Sequence, residues 1–196
     1  MRWIVLPGNP LAAEDAEAQS LDDLAARTAG GDQAAFSEIY SLLVDGLYGY
    51  ARGQCADATA AEDVVANVFL RAWRSARTYR SSSRAYRRWI YTIARNEVRS
   101  YWRRAQRERL SLSTLQMDIA APEVERKEAP EDLLRMIGPA LAALTDIQRE
   151  VVVLRYLANE SYEDIARITG RREGAVRALV MRALRRMRRE LEHAAQ

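Results

Sequence analysis

The sequence predicts an all-α protein: two small helical domains joined by a flexible linker, the C-terminal one built around a helix-turn-helix. Three observations carry this reading. Apolar residues recur three and four apart through residues 32–107 and again through 131–191, the spacing that gives a helix one buried face. Between them, residues 109–130 break the period with serines, small residues, Pro122, Pro130 and an acidic excess, which leaves little to bury. Near the C-terminus, capping residues and a glycine divide the apolar pattern into short helices.

Taken in order, residues 1–20 read as a weakly ordered leader, with a turn at Asn9-Pro10 and small, acidic residues after it. Leu21 to Ala29 predicts a short helix ended by Gly30-Gly31, and the N-terminal domain proper spans 21–108. Asp32 is placed to cap the next helix, whose stripe is Phe36, Ile39, Tyr40, Leu43, Leu47 and Tyr50. From about Ala58 to Ala76 the stripe is Ala61, Val65, Val68, Phe69, Ala72 and Trp73. The outward face there holds Asp63, Ala66, Asn67, Leu70, Arg71 and Arg74. An outward leucine among polar groups suits a protein partner better than a polyanion.

Residues 77–84 predict a loop in which Tyr79, Ser81, Ser82 and Ser83 lie between Arg77, Arg80 and Arg84. Hydroxyls, a ring and cations are what hold one extruded nucleotide base. The helix that follows, to about Arg107, has an apolar face of Tyr86, Trp89, Ile90, Ile93, Ala94, Val98, Tyr101 and Trp102. Its opposite row is Arg84, Arg88, Tyr91, Arg95, Arg99 and Arg103. Like charges so spaced repel one another. Counterion release from a nucleic acid would offset that cost, and the interleaved ring offers a stacking surface.

The linker runs over 109–130, and the second domain over 131–196 begins with Leu133, Leu134, Ile137, Leu141 and Leu144, with Pro139 set to kink that helix. Thr145-Asp146-Ile147-Gln148 is a capping box ahead of Val151 to Leu157. Ser161 recaps a short helix that Gly170 ends, where a left-handed residue costs least if it is glycine. The last helix buries Val176, Val180, Ala183, Leu184, Met187 and Leu191. It turns Gly174, Arg177, Ala178, Met181, Arg182 and Arg185 outward. Arg171 and Arg172 stand at its start, where the macrodipole disfavours cations. A phosphate backbone beside them explains their presence. A small-residue, arginine-bearing second helix after a glycine turn is the pattern that enters a DNA major groove.

Charge sorts along the chain. The whole carries +3, but residues 1–70 hold three basic and eleven acidic groups, and residues 71–109 hold thirteen arginines against Glu97 and Glu108. Residues 171–196 are again basic, which makes two separate polyanion contacts. Cys55 is the one cysteine and His193 the one histidine, which excludes an intramolecular disulfide and a zinc site and fits a reducing interior. The Trp3-Ile4-Val5-Leu6 run is broken by Pro7-Gly8, too short for a signal sequence or a membrane span. A cytoplasmic protein with no membrane insertion is the expectation.

The run LAALTDIQREVVVLRYLANESYEDIARITGRREGAVRALVMRALRRMR resembles the C-terminal domain of sigma-70-type RNA polymerase sigma factors of the extracytoplasmic-function (ECF) group. The match is specific at Gln148-Arg149-Glu150, at Ser161 to Ala166 and at Gly174-Ala175-Val176-Arg177. AEDVVANVFLRAW is similar to the family's polymerase-binding helix, and RAWRSARTYRSSSRAYRRWIYTIARNEVRSYWRR to its promoter-melting segment. The resemblance implies that Asp63, Asn67, Leu70 and Arg71, with Arg74 beside them, dock on core RNA polymerase. It implies that the loop from Arg77 to Arg84 and the row with Asn96 hold the melted minus-ten strand. Arg171, Arg172, Gly174, Ala175, Arg177, Ala178, Met181, Arg182 and Arg185 would read the duplex minus-thirty-five element. Partners are then core polymerase and promoter DNA, duplex and melted, with an anti-sigma factor a further candidate; no cofactor is implied.

A stand-alone helix-turn-helix regulator is the alternative. It accounts for residues 131–191 but leaves the arginine row at 84–103 without a purpose. A nucleic-acid enzyme is disfavoured: no metal-ligand cluster, Walker glycine loop or nucleophile–base pair is visible.

Overall fold

In the computed structural model, residues 10–79, 85–112 and 130–194 are described. Eight α-helices follow one another: α1 (Pro10–Ala29), α2 (Gln33–Arg52), α3 (Ala58–Ser75), α4 (Ala85–Leu112), α5 (Pro130–Ala142), α6 (Asp146–Tyr156), α7 (Tyr162–Thr169) and α8 (Glu173–Ala194). A 3-10 turn, Ala76–Thr78, follows α3, and the described residues contain no strand.

Capping chemistry sets the boundaries. Asp32 Oδ1 accepts the Ala35 N–H at 3.0 Å, and Asp57 does the same for Ala60 at 2.8 Å. Gln148 takes the Thr145 backbone N–H at 3.2 Å, completing the capping box of α6. Ser161 Oγ accepts the Asp164 N–H at 3.0 Å, and Gly170 closes α7 at φ 69°. One boundary differs clearly from the sequence reading. Helix α1 begins at Pro10 instead of Leu21: proline is tolerated in a first helical turn, where its missing N–H is not needed, and the alanines after it favour helix. Helix α5 continues through Pro139 to Ala142.

The N-terminal core joins Ile39, Leu43, Leu47 and Tyr50 of α2 to Val64, Val68 and Phe69 of α3 and to Ile90, Ala94 and Val98 of α4. Leu21, Leu24 and Ala25 of α1 belong to the same core. In the C-terminal domain, Val151, Val153 and Leu154 of α6 and Ile165 and Ile168 of α7 are buried with Val176, Val180, Ala183 and Met187 of α8. The buried stripe of α8 ends earlier than expected, since Leu191 is 39% exposed. The two domains also touch: α4 packs on α7, and α2 on α6.

Candidate nucleic-acid and protein interfaces

Helix α3 is amphipathic as the spacing requires. Val64, Val65, Val68, Phe69 and Ala72 are buried, while Asp63, Arg71 and Arg74 are exposed and Asn67 is half-buried. Leu70 is 44% exposed. Arg71 forms an ion pair with Glu97 of α4, so its guanidinium is already oriented before any partner arrives. Tyr40, which the sequence assigns to the core, is 47% exposed and lies over Phe69 with ring centroids 4.6 Å apart. It gives the α2–α3 flank an aromatic surface that helical spacing alone could not reveal.

At the start of α4 the rings are structural. Tyr79 is half-buried, stacks edge-on to Tyr86 at 5.1 Å and lies 5.0 Å from Trp89. Its hydroxyl donates to Asp22 Oδ1 at 3.2 Å. That ring is therefore engaged in packing, contrary to its expected role as a stacking surface for a base. Arg77 is exposed; Arg80, Ser81, Ser82, Ser83 and Arg84 lie outside the described residues.

The row along α4 divides. Arg88, Arg99 and Arg103 are exposed, as the spacing predicts, and so is Asn96, which the family resemblance adds to the row. Tyr91 is 1% exposed, which corrects its placement on an outward row. It stacks edge-on against Tyr50 at 5.8 Å, and its hydroxyl hydrogen-bonds the Glu160 carboxylate. Burial pushes the Tyr91 phenol well above its ordinary range. Arg95 is held by Glu150 of α6, Nε to Oε1 at 2.7 Å and Nη2 to Oε2 at 3.0 Å. The reason is tertiary. A helix packed on two sides has two covered faces, and the arginine face of α4 meets the second domain.

Helix α8 presents its outer face openly. Arg171, Arg172, Gly174, Ala175, Arg177, Ala178, Met181, Arg182 and Arg185 are all exposed, and the Met181 side chain is 51% exposed. Arg177 is pre-oriented: its Nε donates to Glu173 Oε1 at 2.9 Å, and its guanidinium sits 4.3 Å over the Tyr162 ring. With one edge on Glu173, the end-on pair of nitrogens stays available for a bidentate acceptor. Tyr162 of α7 is the supporting residue that sequence reading missed. Its only signal was its place in the Ser161–Asp164 cap.

Between α4 and the C-terminal domain lies a cleft of about 1080 Å³. Arg71, Arg95, Arg99, Arg103, Arg149 and Arg171 line it against Asp146 and Glu150. Burial pushes the Glu150 carboxyl up, and the charges of Arg95, Arg99 and Arg171 pull it back. No group of acids, histidine and cysteine suited to a metal occurs among the described residues. Burial raises the Cys55 thiol to about 12, which leaves it a poor nucleophile. No described helix is long and apolar enough to cross a membrane.

Comparison with known proteins agrees with this arrangement. A family model described as Sigma-70 region 2 matches residues 39–108, and one described as Sigma-70, region 4 matches residues 134–187. The ECF RNA polymerase sigma factor BldN of Streptomyces coelicolor is 34% identical over 185 residues, covering 91% of this chain and 69% of that protein. SigK of Mycobacterium tuberculosis is 29% identical over 172 residues, 86% of this chain and 91% of that one. Among solved structures, RpoE of Bartonella quintana in complex with the anti-sigma factor NepR superposes with TM-score 0.61 at 27% identity, over 80% of this chain and 96% of that one. CnrH, solved with the cytosolic domain of CnrY, shares the fold with TM-score 0.65 at 24% identity, over 89% and 98% of the two chains.

Regions 2 and 4 on one helical chain define a sigma-70-type transcription initiation factor. Within that class, the chain belongs to the ECF RNA polymerase sigma factors. It binds core RNA polymerase and directs initiation at specific promoters.

Proposed function

We propose that three surfaces divide the work of initiation. The exposed face of α3, with Asp63, Asn67, Leu70, Arg71 and Arg74, docks on core polymerase. The exposed part of the α4 row, Arg88, Asn96, Arg99 and Arg103, guides the melted minus-ten strand. Arg77 and the loop through Arg80, Ser81, Ser82, Ser83 and Arg84 hold one extruded base. The outer face of α8 enters the major groove of the minus-thirty-five element. There Arg177 reads a base, Ala178 and Met181 give apolar contact, and Arg171, Arg172, Arg182 and Arg185 bind phosphates.

One observation carries the reading: every candidate residue of α8 and the turn before it is exposed, with Arg177 oriented by Glu173 and Tyr162. Opening follows from binding alone, because a protein that holds unpaired bases shifts DNA toward the melted form by its affinity difference. The chain acts without catalysis, in the cytoplasm where its template lies. An anti-sigma factor is a further partner, by likeness to RpoE of Bartonella quintana, which was solved with one. Run-off transcription with purified core polymerase on genomic fragments tests the whole. Defined transcripts only when both proteins are present are the expected result. Tight, polymerase-independent duplex binding with no transcript would favour a stand-alone regulator.

A further inference from the structure

The sequence supplies no good cap residue immediately before α4. Arg84 stands ahead of Ala85, and a cation at a helix start opposes the macrodipole. The acceptor comes from another helix. Asp22 of α1 takes the Tyr86 backbone N–H at Oδ1, 3.0 Å away and 64 residues distant in sequence. The same oxygen accepts the Tyr79 hydroxyl at 3.2 Å. Tyr79 is the last described residue before segment 80–84, and Tyr86 lies just beyond that segment. One carboxylate oxygen therefore ties together the residues on either side of it. The rings continue the tie: Tyr79, Tyr86 and Trp89 form a triangle with centroids 5.1, 5.0 and 5.2 Å apart. Burial, and then the Asp22 charge, pushes the Tyr79 phenol up, so it stays a donor at neutral pH.

Folding stability does not account for this carboxylate. Asp22 is 3% exposed, and its Oδ2 is buried with no hydrogen bond to a described residue. A buried oxygen left unbonded costs folding free energy. An apolar side chain here would instead join Leu21, Leu24 and Ala25 of α1 in the core.

We propose that Asp22 is a positioning residue for minus-ten recognition. It fixes the start of α4 against the end of the 3-10 turn, and so sets where the segment between them meets the promoter strand. Being buried, it touches no DNA itself. Groups that read a ligand must be held to within about 0.5 Å, and supporting hydrogen bonds from behind supply that precision. The proposal rests on the reading of residues 80–84 as the base-holding segment.

The test uses holoenzyme reconstituted from the full chain and core polymerase, on a promoter recovered by run-off transcription. Initiation is measured on templates with single-base changes in either element, both as duplex and with the minus-ten element opened by a mismatch bubble. Asp22→Ala should lower discrimination at one minus-ten position several-fold on both templates. Discrimination at minus thirty-five and co-elution with core polymerase should not change. Asp22→Asn, whose amide oxygen can still accept both hydrogen bonds, should restore most of the loss. Tyr79→Phe keeps the ring and removes one of the two bonds, so a smaller loss at the same position is expected. Where Asp22→Ala does not fold, Tyr79→Phe decides alone. A merely structural carboxylate would lower the melting temperature and scale initiation on every template alike.

Full minus-ten discrimination in the folded variants overturns the positioning role, and so does an equal loss at both elements. Replacing Ser81, Ser82 and Ser83 by glycine separates this from the reading of the segment. If the glycine chain loses minus-ten discrimination while Asp22→Ala and Tyr79→Phe keep it, the positioning role alone falls. If the glycine chain keeps it as well, the base-holding reading falls with it.

Discussion

Arg177 shows how one side chain acquires a direction. A guanidinium on a long aliphatic stem is mobile in water, but here Glu173 fixes one edge and Tyr162 supports one face. An exposed cation–π contact contributes about 0.5–1 kcal/mol, enough to bias an orientation. Arg177→Ala should cost about 1–3 kcal/mol of discrimination at one minus-thirty-five position. Arg172→Ala should weaken all promoter variants about equally and reduce the duplex salt slope by about 0.9. Competition binding of holoenzyme to a set of single-base promoter variants distinguishes them. An equal, sequence-independent loss from both changes would make Arg177 a phosphate contact only. Tyr162→Leu, which leaves Glu173 in place, should give a milder version of the Arg177 loss.

At the scale of the element, helices here are positioned by short polar devices and used through their exposed faces. Ser161 caps α7, and α7 positions α8 through the Gly170 turn. Ser161→Ala should lower stability by about 1 kcal/mol, or roughly 2–4 °C in melting temperature for a chain of this size, with promoter preference unchanged. Thermal denaturation followed by circular dichroism checks it. Helix α3 offers the opposite case, a face whose value lies in a partner. Leu70 is 44% exposed, so Leu70→Arg should leave the fold intact while preventing co-elution with core polymerase. Normal co-elution would remove Leu70 from the docking surface.

For the whole molecule, the decisive charges lie between the domains. Burial pushes both Glu150 and Glu160 above the ordinary carboxyl range. Arg95, Arg99 and Arg171 face Glu150 and pull it back down. Around Glu160, Arg87 and the Tyr91 hydroxyl oppose the rise, and Asp164 adds to it. A raised value means that the folded chain binds these protons more tightly than the unfolded one, where a glutamate titrates near ~4.3. Protonation therefore stabilises the fold, and that contribution is lost as pH rises through the raised values. The melting temperature should fall as pH rises from about 4.3 through the raised values. The double change Glu150→Gln with Glu160→Gln should remove that dependence. A melting temperature that instead rises over this range and follows these two residues would show that the ion pairs outweigh the desolvation.

The sequence by itself determined the helices, their caps and the two basic faces, because helical period, capping chemistry and charge are local properties. Asp32, Thr145, Ser161 and Gly170 could be read where they stand, and so could the family motifs that carry the function. The outward residues of α8 were legible for the same reason: that helix packs its apolar face against its own domain and leaves the opposite face open. Tertiary structure alone decided the fate of Tyr91, Arg95 and Glu160. Periodicity says which residues share a face, but not how many faces of a helix are covered. Helix α4 is covered twice, once by its own domain and once by the second. A row that reads as solvent-facing in one dimension thus became an interface in three.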